Sequence, residues 1–320
     1  MKLLVTGGAG FIGSNFVRHI LRKYPKYKII NLDKLTYAGN PDNLKDVKDN
    51  KNYFFIKADI CDSQKVMRAV KGVDTIVNFA AETHVDRSIK NADSFIKTNF
   101  QGTYCLLEAA LKNKVKRILH IGTDEAYGSR AKGFFKEPDS LNPSSPYSAS
   151  KAAADLLVNS YFKTYKLPVV ITRSSNNFGP YQYPEKVIPL FITNLLLNKK
   201  VPLYSRGENV RDWLFVLDNC SAIDLVLHKG KTGEIYNIAA GNYLCNLELT
   251  MAILKRMGKP MDFIEYVKDR PGHDFRYAID CQKISNLGWR PKYNFAAALD
   301  FTINWYRQNI KWWKKLKAKF

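Results

Sequence analysis

Short apolar runs rich in β-branched and aromatic residues recur through the first half of the chain. They lie at Leu3–Thr6, Ile29–Leu32, Phe54–Lys57, Thr75–Phe79, Arg117–Ile121 and Val169–Arg173. Between most of them, over Ser14–Lys23, Ser63–Val70, Ser94–Asn113 and Ser148–Tyr165, apolar positions fall three and four apart, the spacing of one helix face. Nearly all-apolar strands alternating with helices predict a parallel sheet covered on both faces, with right-handed crossovers. The pattern therefore predicts an α/β fold, a Rossmann-type doubly wound parallel sheet.

The rhythm changes near Asn177. NFGPYQYPEK (177–186) reads as a loop, followed by a helix near Val187–Leu197, short strands, and a helix near Asn246–Met257. RPGHD (270–274) is another loop, and a last helix starts at about Ala296. This predicts a dinucleotide-binding domain over 1–178 and a smaller mixed α/β substrate-binding region over 179–320. The strand-like stretch Trp213–Val216 is expected to rejoin the first sheet.

Composition narrows the classes. A chain of 320 residues, 46% hydrophobic, can bury a sizeable core. It has no apolar run of about 18 residues, so no membrane span is expected. MKLLVTGGAGFIGS resembles a signal peptide only until glycine breaks the apolar run, and it reads as a strand. The five cysteines (Cys61, Cys105, Cys220, Cys245, Cys281) are scattered and odd in number, which predicts reduced thiols in a cytoplasm and no zinc site. The five histidines are dispersed, and no metal is expected. The net charge of +21 comes from lysines spread along the chain, which points to solvated faces rather than a nucleic-acid partner. The basic, aromatic end IKWWKKLKAKF reads as a frayed, solubilising helix end rather than a membrane-surface segment.

Chemistry enters with Thr6-Gly7-Gly8-Ala9-Gly10-Phe11-Ile12-Gly13, between the first strand and the first helix. It satisfies Gly-x-Gly-x-x-Gly at Gly8, Gly10 and Gly13, and Gly-x-x-Gly-x-x-Gly at Gly7, Gly10 and Gly13. Glycines let the backbone approach a pyrophosphate, and the helix N-terminus offers N–H groups to it. Asp33 ends the second strand about 20 residues later, where a carboxylate accepts from a ribose 2′-hydroxyl and repels a 2′-phosphate. That favours NAD over NADP, with Lys34 acting against the preference. Asp59 and Ile60 after the third strand can frame an adenine. The small residues of Phe79-Ala80-Ala81 let a cofactor lie over the sheet edge.

Two further clusters carry reactive groups. IGTDEAYG (121–128) puts Thr123, Asp124 and Glu125 where a strand emerges. PSSPYSASK leads into a helix with Tyr147 and Lys151 four apart on one face. An ammonium there would lower the phenol's pKa and make it a base. The spacing alone is weak, since Tyr24 and Lys28 share it.

At this point the chain resembles the extended short-chain dehydrogenase/reductase superfamily, through its glycine loop, Asp33, Tyr147 and Lys151. DKLTYAGN (33–40), AAETHVDRSI (80–89), TDE (123–125), SSNNFGPYQYPEK (174–186), NVRDW (209–213) and RPGHD (270–274) narrow the resemblance to the dTDP-glucose 4,6-dehydratase family, over essentially the whole chain. The resemblance implies oxidation of a sugar at C4, so that the C5 proton becomes α to a carbonyl. It implies that the Tyr147 phenolate takes the C4 hydroxyl proton while NAD⁺ takes the hydride. Thr123 would bind the C4 oxygen, and Lys151 would tune Tyr147 and hold the nicotinamide ribose. Glu125 would remove the C5 proton and Asp124 protonate the departing C6 hydroxyl, before the hydride returns to C6. Such carboxylates need opposite protonation states, which their neighbours can impose.

The resemblance further implies NAD contacts from Phe11, Ile12, Asp33, Lys34, Leu35, Thr36, Asp59, Ile60, Phe79, Ala80, Ala81, Glu82, Thr83, Thr98, Tyr147, Lys151 and Asn177. It implies nucleotide-sugar contacts from Thr83, Thr123, Asn176, Lys186, Val187, Pro202, Leu203, Tyr204, Arg211, Asn246, Asp269, Arg270, Pro271, Gly272 and His273. Lys186, Arg211 and Arg270 suit a pyrophosphate. Ser205 and Phe275 stand where the family has glycine and arginine, near nucleotide contacts, which leaves the base open between dTDP and UDP. A 4-epimerase or decarboxylase on the same scaffold is the rival reading, and TDE argues against it. A non-catalytic NAD sensor or nucleic-acid binder would be expected to lack the reactive residues, which are all present. The helices near 94–113 and 148–165 resemble those with which the family builds a homodimer.

Overall fold

In the computed structural model, residues 1–318 are described. The chain opens with β1 (Lys2–Thr6), α1 (Phe11–Lys23), β2 (Lys28–Asp33), β3 (Tyr53–Lys57), α2 (Ser63–Val70) and β4 (Thr75–Asn78). After α3 (Val85–Lys90) come α4 (Asp93–Phe95), a π-helical stretch over Ile96–Gly102 and α5 (Thr103–Lys112). β5 (Arg117–Thr123) leads to a 3-10 turn (Asp124–Tyr127), then α6 (Pro146–Tyr165) and β6 (Val169–Ser174). Asp62 caps α2 by accepting from the Lys65 N–H. Ser145 and Ser148 form a capping box that, with Pro146 in the first turn, fixes the start of α6.

The second half begins with β7 (Asn176–Phe178), α7 (Val187–Leu196), β8 (Val201–Tyr204), β9 (Val210–Phe215) and α8 (Val216–Lys229). It continues with β10 (Ile235–Ile238), β11 (Tyr243–Cys245), α9 (Asn246–Met257), β12 (Ile264–Val267), α10 (Gln282–Asn286), α11 (Phe295–Gln308) and α12 (Ile310–Lys317).

Seven parallel strands form the main sheet in the order β10-β6-β5-β4-β1-β2-β3. One face packs on α1 and α8 through Phe16, Val17, Ile20, Ile223 and Val226. The other packs on α2, α5 and α6 through Val66, Leu106, Leu107 and Val158. A separate core of Phe178, Phe191, Trp213, Phe215, Ile253 and Tyr306 holds the second region together.

Three expectations are corrected. The stretch near 213–216 does not rejoin the main sheet: β9 lies between β11 and β7 in a three-stranded sheet, and Trp213 and Phe215 fill the second core. The strand that returns is β10, which pairs with β6 and closes the main sheet. The span 94–113 is not one regular helix, because residues 96–102 are π-helical. The C-terminal end is not frayed over its described residues: α12 buries Trp313 and Leu316, and the Trp313 indole N–H donates to the Tyr306 carbonyl at 2.8 Å. Lys319 and Phe320 lie outside the described residues.

Candidate active site

The glycine loop is shaped by contacts that admit no side chain. Gly7 has φ +68°, and a Cβ there would sit 2.6 Å from the Ala80 nitrogen. A Cβ on Gly13 would lie 2.3 Å from the Gly7 carbonyl oxygen. Gly10 caps α1 without a side chain, and the first turn carries no acidic residue, so the helix start suits an anion. Asp33 closes the other side. Its two oxygens accept from the Ala9 and Leu35 N–H groups at 2.9 and 2.8 Å. Burial pushes this carboxyl up, and those backbone donors oppose the shift. Its remaining lone pairs can accept from a ribose. Lys34 pairs with Asp59 at 2.7 Å, which occupies the cation that argued for NADP. The loop, the open helix start and the fixed carboxylate fit NAD.

These groups open into one cavity of about 310 Å³. It brings together Gly7, Gly10, Phe11, Ile12, Gly13, Asp33, Lys34, Thr36, Asp59, Ile60, Phe79, Ala80, Ala81, Glu82, Thr83, Thr98, Asn176, Asn177 and Lys186 with Thr123, Asp124, Glu125, Tyr147 and Lys151. Leu35, Val187, Pro202, Leu203, Tyr204, Arg211, Asn246, Asp269, Arg270, Pro271, Gly272 and His273 are not among its lining residues. The Leu203 side chain belongs to the second core, so only its backbone is free to meet a ligand. Arg211 and Arg270 nonetheless act electrostatically on Glu125. Arg270 pairs with Asp86 at 3.3 Å, and Tyr204 donates to the same carboxylate.

Several lining residues escaped the sequence reading, among them Tyr37, Gln182 and Glu185. Arg87 joins two of them, stacking on Tyr37 at 3.8 Å and pairing with Glu185 at 2.8 Å. Their signal was position, since both lie in stretches that carried the resemblance. Asn99, on the π-helical stretch, bonds both backbone groups of Glu82 and the Ser150 hydroxyl. Nothing in its sequence neighbourhood marks that role.

The candidate reacting groups sit at the exit of β5. Asp124 is 2% exposed, and its Oδ2 has no protein partner. Burial first, then the Glu125 charge, pushes its carboxyl well above the usual range. Burial raises Glu125 too, but Arg211, Arg270 and Lys186 pull it back. The surroundings therefore favour a protonated Asp124 beside an ionisable Glu125. The Thr123 hydroxyl accepts from the Glu125 N–H at 3.3 Å.

Lys151 lies buried in the floor of the cleft. Its ammonium donates to the Ile121 carbonyl at 2.6 Å, with no hydrogen bond to Tyr147. Burial lowers it to about 8, against the Asp155 carboxylate. The Tyr147 phenol is held above its ordinary value by burial and Glu125, with a Thr123 hydrogen bond opposing. Beneath, Asp155 pairs with Arg173 at 2.8 Å, and Arg173 stacks on Tyr127 at 4.6 Å, fixing the turn that carries the acids.

Among the described residues, no His, Cys, Asp or Glu cluster is arranged to hold a metal ion. No helix among them is long and apolar enough to cross a membrane.

Residues 4–301 match the model of the family described as GDP-mannose 4,6 dehydratase. The chain is 52% identical to the dTDP-glucose 4,6-dehydratase of Streptomyces niveus, covering 99% of this chain and 96% of that one. It is equally 52% identical to the low-salt glycan biosynthesis protein Agl12 of Haloferax volcanii, covering 96% and 98%. The crystal structure of DesIV, a dTDP-glucose 4,6-dehydratase from Streptomyces venezuelae solved with NAD bound, superimposes with a TM-score of 0.97 at 50% identity, covering 99% of this chain and 100% of that one.

Proposed function

The chain belongs to the GDP-mannose 4,6-dehydratase family, and from that premise we infer that it is an NAD-dependent dTDP-glucose 4,6-dehydratase. It converts dTDP-glucose to dTDP-4-keto-6-deoxyglucose and water, a step of deoxysugar biosynthesis, as its full-length relatives' names indicate. The observation that carries the mechanism is the pair of Asp124, buried, and Glu125, half-buried beside it, in environments that separate their protonation states.

The backbone of Gly7 to Gly13 and the start of α1 would hold the cofactor's pyrophosphate, and Asp33 its ribose. NAD, when bound, supplies positive charge and a hydride acceptor that takes hydrogen from C4 and returns it at C6, so none is consumed. Tyr147 takes the C4 hydroxyl proton, with Thr123 holding the same oxygen. Lys151, anchored on the Ile121 carbonyl, contributes positive charge to the floor of the cleft. Glu125 then removes the C5 proton, acidified by the neighbouring ketone. Asp124 gives its proton to the C6 hydroxyl as water leaves, and the proton held by Glu125 returns to C5 when the hydride is delivered to C6. Arg211, Arg270 and Lys186 keep Glu125 ionisable and meet the diphosphate.

The test is direct. Purified protein without added cofactor is incubated separately with dTDP-glucose and UDP-glucose, and loss of water is followed by mass spectrometry. Loss from dTDP-glucose is expected. An isomer of unchanged mass, resolved from the substrate by chromatography, would point to an epimerase, and loss of carbon dioxide from UDP-glucuronate in a third incubation to a decarboxylase.

The pH profile follows from the two carboxyls. Activity should fall on the acid side as Glu125 protonates, at a pH above the ordinary glutamate range. It should fall on the alkaline side as Asp124 ionises. A kcat flat across the carboxylate range would remove both assignments.

The protein works as a cytoplasmic homodimer. Ile96, Phe100 and Tyr104 stand exposed on the segments that pack against α6, where Leu156 is exposed too, which suits a second copy. The five free cysteines suit a reducing compartment. Leu156→Arg should convert dimer to monomer in sedimentation, and an unchanged mass would exclude this face.

A further inference from the structure

The C-terminal helix was expected to serve solubility, yet it is wired into the glycine loop. The Trp312 indole N–H donates to Asn43 Oδ1 at 2.9 Å. The Nδ2 of the same amide donates to the Ala9 carbonyl at 2.9 Å. The Ala9 N–H in turn donates to Asp33 Oδ2 at 2.9 Å. Asn43 and Ala9 are each 1% exposed, so water does not substitute for these partners.

An asparagine amide can face either way round, and its partners decide which. An indole N–H is a donor only. It therefore holds the Asn43 oxygen toward α12 and turns the amide nitrogen toward Ala9. A second contact supports the same corner. Arg18 donates to the Asn43 carbonyl and stacks on Tyr181 at 4.0 Å, and Tyr181 packs against Trp305 and Trp312.

We propose that Trp312 and Asn43 are positioning residues for the dinucleotide, fixing the backbone on the carbonyl side of Ala9 and, through the N–H on its other side, the Asp33 carboxylate. This rests on the reading that the cleft holds NAD. The C-terminal helix thereby sets how long the cofactor stays, without touching it.

The experiment follows the release of NAD from purified holoprotein into cofactor-free buffer containing an NAD-consuming enzyme, with chromatographic quantitation. Trp312→Phe keeps the ring and removes the donor. Release roughly three- to tenfold faster is expected, the equivalent of one hydrogen bond. Trp313→Phe is the matched control: it loses an indole bond in the same helix, to the Tyr306 carbonyl, with no link to Asn43. It should lower Tm and leave release unchanged. Asn43→Leu should speed release as Trp312→Phe does, and the double variant should be no faster than the faster single one. Asn43→Leu decides the matter if Trp312→Phe does not fold. Wild-type release from Trp312→Phe, or equal acceleration by Trp313→Phe, would overturn the proposal. A wild-type protein that binds no NAD would instead overturn the functional reading beneath it.

Discussion

Glu125→Gln is expected to slow water loss from dTDP-glucose by roughly 10²–10⁴-fold, the usual worth of a positioned general base. The substitution keeps the size of the side chain and removes its capacity to accept the C5 proton. Tyr147, Thr123 and Lys151 are untouched, so the C4 oxidation should proceed. A single turnover should therefore accumulate reduced nicotinamide, visible by its near-ultraviolet absorbance, without release of water. Asp124→Asn should stall at the same stage, because an amide cannot protonate the departing hydroxyl. The two effects should not add fully, since both groups serve one elimination. If Glu125→Gln eliminates water at the wild-type rate, the base lies elsewhere.

The second large effect concerns the cofactor. Gly7→Ala and Gly13→Ala should each weaken NAD binding by roughly 30- to 150-fold, the equivalent of about 2–3 kcal/mol of overpacking and strain. The reason is geometric. The new methyl at Gly7 meets the Ala80 backbone at 2.6 Å, and at Gly13 the Gly7 carbonyl at 2.3 Å. Neither neighbour is a side chain that can swing away. Gly133→Ala separates strain from collision, because Gly133 also has positive φ, +75°, but nothing within 4 Å of its added methyl. It should cost stability and leave NAD affinity alone. Calorimetric titration of NAD into cofactor-stripped protein reads all three, and wild-type affinity in Gly13→Ala would remove the loop from the site.

What the sequence disclosed was what is local. The strands of the sheet could be read because they are apolar on both faces, and Asp33 and the Thr-Asp-Glu run because they sit at strand exits. β10 escaped because Ile235–Ile238 is four residues long and less apolar than the stretch around Trp213. The π-helical stretch escaped because its apolar positions keep helical spacing. The lysines of α12 masked its buried face, although Trp313 and Leu316, three apart, were the available signal. Arg211, on β9, and Arg270, on a loop, act on Glu125 from far along the chain, so no spacing rule finds them, and only the resemblance supplied them. Lys151 was legible in part: its spacing from Tyr147 gave a shared helix face, whereas the β5 carbonyl that accepts from its ammonium had no signal in the sequence.

The closure of the main sheet by β10 bears on how the protein is made. The strand that flanks β6 is translated after β7, β8, β9 and α8. A ribosome that has delivered everything through β6 has therefore produced a sheet that ends on β6, whose six residues are all buried in the finished fold, and whose face beneath α8 is open to water. Unpaired edges and open apolar faces invite pairing with other nascent chains. The hazard on that edge lasts until Ile238 has cleared the exit tunnel, and chaperone dependence should be greatest for chains arrested between β6 and β10.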